Sequence, residues 1–229
     1  MIRLKTIRTK EDLIALTKEL GFLPFFTNEV PGYSIEENVA PEAWYGGDWE
    51  GRINWPVWEW KGELAADRVL VYGKFFRGRA GFVSPEWFPD LSNYRRDGYD
   101  FDARFDDGLA PRKDKEIVDY LAKNGPTLSK GLKAALGYGK GGQTVFETVI
   151  TRLQMQCYVE PVNFEYQKAK DGKEYGWGVA RYGLSDQWYD GLGREAYERA
   201  PKESFERILA QLEKKLPGAD PKELKKLLK

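Results

Sequence analysis

Acidic, basic and aromatic residues alternate in one stretch of the chain, residues 94–104. If this stretch is extended, Asp100, Asp102 and Arg104 share one face, because side chains two apart in a strand point the same way. Two close carboxylates are able to act as acid and base or to hold a divalent metal ion. The arginines can instead neutralise the acids in a structural ion-pair network, which is the favoured interpretation. This charged segment consists of Tyr94, Arg95, Arg96, Asp97, Asp100, Asp102 and Arg104.

A glycine-rich loop at residues 137–142 contains Lys140, Gly141 and Gly142 and leads into a predicted helix. Free backbone N–H groups at a helix start favour phosphate, and Lys140 adds positive charge. The loop lacks the Gly-x-x-x-x-Gly-Lys-Ser/Thr pattern of a P-loop. A phosphate contact and a flexible turn between two helices are therefore equally good interpretations.

Lys168, Lys170 and Lys173 surround Asp171-Gly172, one of the strongest short hairpin signals. Lysines at the tip of such a hairpin commonly rest on a nucleic-acid backbone, which positions a protein without selecting a sequence. Hairpin tips are also often charged only because charge keeps an exposed turn soluble. Solubility is the slightly favoured interpretation of these lysines. The three lysines remain candidates for phosphate binding.

Eight tryptophans form the most unusual part of the composition. Six of them cluster in the first part of the chain: Trp44, Trp49, Trp55, Trp58, Trp60 and Trp87. Exposed aromatic rings can stack on unpaired or flipped bases. Tryptophan side chains are more often packed in a hydrophobic core, and this is the favoured interpretation of the cluster.

The chain contains no histidine and only one cysteine, Cys157. These absences exclude nucleophiles activated by histidine and HExxH metal sites, and they leave almost no ligands for structural zinc. Catalysis would have to use Asp, Glu, Tyr, Lys, Arg, Gln or backbone groups, and we expect neither a cofactor nor a metal centre. The 36 basic and 36 acidic residues give zero net charge, which excludes a strongly basic coat but not a local basic face.

The middle of the chain predicts a winged helix. Helices are expected at residues 113–124 and 129–136, and a third follows the glycine-rich loop, with Phe146, Val149, Ile150 and Leu153 in one buried stripe. Two strands, 158–168 and 174–184, then turn at Asp171-Gly172. Three helices followed by a hairpin are typical of the winged helix, a relative of the helix-turn-helix.

The first hundred residues repeat that plan more loosely. Thr9 and Asp12 predict a capping box at the start of a first helix. Ser34 and Glu37 repeat the pattern before a short second helix near Trp44, and a third helix is expected over residues 55–66. A hairpin at 69–76 and 80–84 follows, and Ser84-Pro85 is expected to open a linking helix. Two further helices are predicted after Pro201 and after Asp220.

These elements predict an α+β protein with a winged-helix domain, arranged in tandem, small antiparallel hairpins and extra C-terminal helices. The expected boundaries are 1–110 for an N-terminal region that resembles a degenerate winged helix, 111–185 for the winged-helix domain and 186–229 for a helical extension. At 229 residues, with 41% hydrophobic and 31% charged residues, the chain suits a globular protein. With no apolar run long enough for a membrane, no apolar leader and one cysteine, we expect a cytoplasmic protein without a membrane partner.

Three stretches resemble a bacterial group known as AlkZ-related proteins: residues 94–104, residues 72–76 and residues 153–156. The similarity covers most of the chain, to about Phe205. The resemblance implies kinship with AlkZ, a DNA glycosylase of tandem winged helices that unhooks crosslinks and releases alkylated bases. It also implies that Gln154 and Gln156, in Gln154-Met155-Gln156, match the motif that positions the attacking water. In AlkZ that motif lies near the N-terminus, whereas here it lies beyond the middle of the chain.

Helix geometry sets a condition on this glutamine pair. Side chains two apart on a continuing helix lie about 200° apart, whereas on an extended segment they share a face. The catalytic hypothesis therefore requires the third helix to end by Gln154; otherwise both are polar residues at a helix end.

Two classes of function follow from the sequence. The first is a DNA-interacting protein involved in DNA repair, with glycosylase-like catalysis by Gln154 and Gln156. The second is a non-catalytic winged-helix module that binds a protein partner or a second copy, as a homodimer. Zero net charge favours the second class, and the family resemblance favours the first.

Overall fold

The computed structural model describes residues 2–49, 52–139 and 141–229. It is a mixed α/β structure with two small antiparallel sheets of three strands each and a short two-stranded hairpin, surrounded by helices. Each three-stranded sheet belongs to one unit, which contains a helix, a short strand, further helices and a hairpin in that order.

The first unit runs from Lys10 to Val83. Its elements are α1 (Lys10–Leu20), β1 (Phe22–Pro24), α2 (Ile35–Asn38), α3 (Pro41–Trp44), the short pair β2 (Asp48–Trp49) and β3 (Arg52–Ile53), α4 (Pro56–Ala66), β4 (Val71–Phe76) and β5 (Arg79–Val83). The capping box predicted at Thr9 is present, because Thr9 accepts from the Asp12 backbone and Asp12 from the Thr9 backbone. The sheet has the order β1-β5-β4, so the first strand pairs with the last.

The second unit repeats this order. The linking helices α5 (Phe88–Arg96) and α6 (Phe101–Asp106) lead into α7 (Arg112–Asn124), β6 (Thr127–Leu128), α8 (Ser129–Ala135), α9 (Gln143–Met155), β7 (Val159–Lys168) and β8 (Glu174–Leu184). Its sheet has the order β6-β8-β7, so here too the first short strand pairs with the last. The hairpin turns at the predicted place, where Gly172 has a φ of +85°.

The chain then returns to the first unit. Four elements follow the β7–β8 hairpin: α10 (Ser185–Trp188), a short 3-10 helix (Leu192–Arg194), α11 (Pro201–Lys215) and α12 (Pro221–Leu227). Ile208, Leu212 and Leu224 are buried in the same hydrophobic core as Leu13 and Phe22 of the first unit. A separate core, around Ile117, Leu121, Phe146 and Ile150, holds the second unit together. The C-terminal helices are thus packed onto the first unit.

Two features of the fold differ from the sequence expectation. The linking helix starts at Phe88 and not at Ser84-Pro85, because the Ser84 carbonyl accepts from the backbone of Trp87 and Phe88 and closes a turn first. Residues 94–104 are not extended: they form the end of α5, a tight turn and most of α6.

Across the part of the chain that the structure describes, no helix is both long enough and apolar enough to span a membrane.

Candidate nucleic-acid interface

Helix α9 is the third helix of the second unit, and its two faces differ sharply. Phe146, Val149, Ile150 and Leu153 are buried and fix the helix on its core, as the predicted stripe requires. The other face borders a groove of about 580 Å³. The groove is lined by Arg95, Thr144, Glu147, Thr148, Thr151, Arg152, Met155 and Gln156.

An ion pair holds one cation of this groove in place. Arg152 donates from Nε to Asp114 Oδ2 at 2.8 Å and from Nη2 to Asp114 Oδ1, in a two-pronged contact with α7. The Asp114 side chain is buried and that of Arg152 is about one third exposed, so the pair is anchored from the protein side. The hydrogen bonds that Arg152 donates to the Asp114 carboxylate raise the pKa of Arg152. The guanidinium of Arg152 is therefore fixed at the groove, with its charge paired to Asp114.

A second cation enters from the linking helix α5. Arg95 Nη1 donates to the Lys229 carbonyl at 2.9 Å, and its Nη2 donates to the Phe75 carbonyl at 2.7 Å. The side chain is thereby held between the C-terminus and strand β4 while it lines the groove. Parts of the chain far apart in sequence thus build the groove together.

Gln154 on α9 does not line the groove. Its side chain is only 1% exposed, and its Oε1 accepts from the Lys74 backbone N–H on β4 at 3.1 Å. Lys74 Nζ also donates to Thr151 Oγ1, on the groove, at 3.0 Å, so α9 is joined to the first unit through two neighbouring side chains. Gln154 is therefore placed to hold the two units together.

Gln156 has a different environment. It is the residue that ends α9, it is half-buried, and it lines the groove. Because α9 continues to Met155, the condition that the helix end by Gln154 is not met. This geometry does not favour two glutamines aimed at one water molecule, and only Gln156 borders open space.

The glycine-rich loop lies at the start of α9. Gly142 precedes the helix, accepts from the Phe146 backbone and donates to the Gly139 carbonyl at 3.0 Å. Gly141 has a φ of +92° and no atom within 4 Å of where a Cβ would stand. Lys140 lies outside the described residues. The loop is thus open enough for a ligand to approach Gly141.

The wing lysines, which we define as Lys168, Lys170 and Lys173, are exposed at the tip of the β7–β8 hairpin. The turn is closed by the Ala169 N–H, which donates to the Lys173 carbonyl, and by the Lys173 N–H, which donates to Asp171 Oδ1 at 3.1 Å. The three lysines are therefore presented together at one hydrogen-bonded hairpin tip.

In the charged segment, Arg96 is the most constrained residue. Its side chain is completely buried, and Nη1 donates to both carboxylate oxygens of Asp186 at 3.0 and 3.1 Å and to the Tyr197 hydroxyl at 2.8 Å. Nη2 donates to the Cys157 carbonyl and to Ser185 Oγ. Arg96 thus joins α5 to the start of the hairpin and to the segment after it.

The other members of the charged segment have separate structural partners. Asp100 caps α6 by accepting from the Ala103 N–H at 2.9 Å, and Asp102 pairs with Lys115 at 3.2 Å. Arg104 donates to the Arg96 carbonyl. Asp97 ends α5 with a φ of +55°, and the ring of Tyr94 lies 4.6 Å from that of Phe205.

The segment is thus helical and not an extended strand, so Asp100 and Asp102 do not share a strand face. Arg96 forms its ion pair with Asp186, outside the segment, and the role of the segment as a charged site stays a prediction. Within residues 2–49, 52–139 and 141–229, no three acidic or cysteine side chains gather as metal ligands would.

The last helix of the first unit, α4, packs against strand β7, whereas α9 has an open face. Lys61 is buried, donates to the Trp58 carbonyl at 2.7 Å and lies 3.9 Å above the Trp58 ring and 4.4 Å above that of Phe164 on β7. Burial lowers the pKa of Lys61 to about 7. Tyr166, also on β7, donates to Glu59 at 2.5 Å. The hairpin of the second unit thus packs along α4.

A buried glutamate at the junction of the units has no counterpart in the sequence analysis. Glu160 on β7 is 0% exposed, and neither carboxylate oxygen has a hydrogen-bond partner among the described residues. A Cβ at Gly73 would lie 2.4 Å from Glu160 Oε2, so the glycine makes room for the carboxyl group. Burial raises the pKa of Glu160 well above its usual range. The only sequence signal was an acidic residue in an otherwise apolar run, Tyr158 to Val162.

Most of the clustered tryptophans pack against the first core, as the favoured interpretation predicted. Trp44, Trp58, Trp60 and Trp87 are partly buried there. The side chain of Trp49 lies outside the part of the chain that is described. A tryptophan of the second unit, Trp177, is instead 64% exposed.

Comparisons with known proteins place this geometry in a family. A search of the curated proteins and a search of the solved structures find no match to the chain. A scan against family models finds one for the family described as AlkZ related, which matches residues 7–229. This match includes both units, the groove along α9 and the C-terminal helices. The chain belongs to the AlkZ-related family.

Proposed function

We propose that this chain is a DNA-binding protein built from two winged-helix units, which contacts DNA through α9 and the β7–β8 wing. The observation that carries the proposal is the repeated order of helix, strand, helices and hairpin, with the first strand paired to the last in both sheets. In winged helices and other helix-turn-helix proteins, a recognition helix enters the major groove and its first residues contact base edges.

The accessible face of α9 suits that role. Thr144, Thr148 and Arg152 line the groove, and hydroxyl and guanidinium groups are common partners of base edges and phosphates. Thr144, Glu147 and Thr148, in the first half of the helix, are exposed. In contrast, α4 is covered by β7, so the second unit offers the open recognition helix.

The wing lysines supply the phosphate contacts in this proposal. They extend from the same unit as α9, and the glycine loop before α9 adds exposed backbone at Gly141. Because such contacts are local, they are compatible with zero net charge. Tandem units, an open α9 and a basic wing together favour DNA over a protein partner or a second copy.

Reversing the charge of the wing lysines tests this. Lys168→Glu, Lys170→Glu and Lys173→Glu together should weaken binding to duplex DNA at least tenfold and lower the slope of log affinity against log salt by about 2–3. The measurement is fluorescence anisotropy with a labelled duplex at several salt concentrations.

The matched control reverses Lys214, Lys222 and Lys225, which are exposed on the C-terminal helices. It changes the net charge equally and should leave the slope unaltered. Equal effects of the two triple variants would contradict a specific role for the wing.

Base excision is our second candidate function, favoured by membership of the AlkZ-related family and by Gln156 at the groove beside Arg152. In this candidate mechanism a side-chain amide hydrogen-bonds the water that attacks the nucleoside. No histidine is present to do so.

Variants of the two glutamines distinguish a catalytic role of Gln156 from a structural role of Gln154. Gln156→Ala should lower the release of an alkylated base about 10²–10³-fold, because one preorganised hydrogen-bonding group is lost. Gln154→Ala should leave the rate of the folded enzyme nearly unchanged and lower the free energy of unfolding by about 1–3 kcal/mol, because the Lys74 N–H loses its partner. The assay measures free base and abasic-site cleavage in alkylated and crosslinked duplexes. Absence of release by the wild type from every such substrate would remove this candidate.

A further inference from the structure

An open aromatic pocket of about 280 Å³ lies where the wing of the second unit meets the first unit. Its walls are apolar. The seven lining residues, all aromatic except Val57, are Phe25, Phe26, Trp44, Trp55, Val57, Trp58 and Trp177. Neighbouring rings meet edge to face, with centroids 5.3 Å apart for Phe25 and Trp58 and 6.1 Å apart for Trp44 and Trp55. The pocket is thus walled by rings fixed in favourable mutual geometry.

Trp177 reaches this pocket because the hairpin is irregular beside it. Gln167 pairs with Tyr175 and Glu165 pairs with Val179, so one residue of β7 faces three residues of β8: Gly176, Trp177 and Gly178. Such a bulge turns a side chain away from its regular direction. Gly176 has a φ of +72°, which a glycine adopts without strain.

The bulge brings Trp177 onto the aromatic cluster of the first unit. Its ring lies 6.3 Å from that of Trp58 at 80°, and it remains 64% exposed. A tryptophan that contacts a pocket with one side and solvent with the other can contribute a large apolar area to a ligand. The two units thus share the construction of this pocket.

Exposed aromatic and basic side chains beside the pocket indicate which class of ligand it binds. Tyr175, on the same strand, is 50% exposed, and Tyr45, whose ring lies 5.6 Å from that of Trp55, is 48% exposed. The wing lysines lie at the tip of the same hairpin. Aromatic side chains beside a basic element form the usual binding surface for single-stranded nucleic acid, where bases stack and cations follow the phosphates.

We propose that this pocket binds an unpaired nucleobase of a DNA strand, which stacks on Trp177 while the wing lysines contact the flanking phosphates. The pocket volume of about 280 Å³ is sufficient for a single nucleobase. Its apolar walls recognise the face of the base, so the site accepts different bases. This inference rests on the proposed DNA binding, and it assigns a nucleic-acid contact to the first unit, whose helix α4 contributes Val57 and Trp58 to the pocket.

The test compares three labelled DNAs: an oligothymidylate of about a dozen nucleotides, an abasic strand of equal length and charge, and a fully paired duplex. Trp177→Ala should weaken binding of the oligothymidylate roughly 5- to 100-fold. It should leave the duplex and the abasic strand nearly unaffected, because neither offers an unpaired base. Trp177→Phe should recover most of the affinity.

Leu109→Ala is the matched control, since Leu109 is an exposed apolar residue outside the pocket. It should change none of the three affinities. Equal binding of oligothymidylate and abasic strand by the wild type, or no effect of Trp177→Ala, would overturn the pocket inference while duplex binding still supports the proposed function. No binding of any of the three DNAs would overturn both.

Discussion

Replacing Arg96 by alanine is expected to destabilise the fold by about 3–5 kcal/mol, the usual cost of breaking a buried ion pair from one side. The guanidinium is fully buried and holds Asp186, Tyr197, Ser185 and the Cys157 carbonyl together. Without it, buried acceptors lose their donor and a cavity remains. Since small proteins are stable by only about 5–15 kcal/mol, this loss is a large fraction of the total.

Urea unfolding followed by circular dichroism measures this effect. Arg194→Ala is the matched control, because Arg194 contacts the same Asp186 at 3.5 Å from a side chain that is more than half exposed. It should cost less than about 1 kcal/mol. Arg96→Lys should fall between the two, since it keeps the charge and loses the planar fork. If Arg96→Ala and Arg194→Ala destabilise equally, the network around Arg96 does not hold these segments together.

Replacing Glu160 by glutamine is expected to stabilise the protein by about 1–3 kcal/mol near pH 8. Burial raises the pKa of Glu160 in the folded chain, whereas in the unfolded chain it stays near the usual 4.5. The contribution of this group to stability is therefore fully present below about pH 4.5 and is lost as the pH rises through the folded pKa. Glutamine has a similar shape and never ionises, so the variant does not lose this stability as the pH rises.

The measurement is the free energy of unfolding of wild type and Glu160→Gln between pH 4 and pH 9. The difference should grow as the pH rises and should be small at the acidic end. Glu198→Gln, at an exposed position, should show little difference at any pH. A constant difference between wild type and Glu160→Gln across the range would mean that Glu160 is ionised in the folded protein.

Local signals were sufficient to predict most helices and both main hairpins. The capping box at Thr9, the apolar stripe of α9 and the turn at Asp171-Gly172 each act within a few residues, and each is present. Strands β1 and β6 were not predicted, because they are three and two residues long. Their pairing with distant strands defines them, and alternation cannot appear over so few residues.

The candidate site was less predictable, because its geometry depends on contacts between distant segments. The burial of Gln154 follows from the position of Lys74, which is 80 residues away. The charged segment was open to two interpretations, since the partners of Arg96 lie about 60–100 residues further along the chain. For Trp177 a signal did exist: glycines on both sides of a strand residue often mark a bulge, which could have indicated a redirected side chain.

Binding of the wild-type chain to duplex DNA at several salt concentrations tests the central proposal most directly. A labelled duplex is titrated with the protein between about 50 and 200 mM salt, and the affinity is followed by anisotropy. The account predicts binding at the lower salt concentration and at least a tenfold loss of affinity across the range, as phosphate contacts at the wing and beside α9 are screened. No detectable binding at the lower salt concentration, or an affinity that salt does not change, would contradict it and favour a module that binds a protein partner or a second copy.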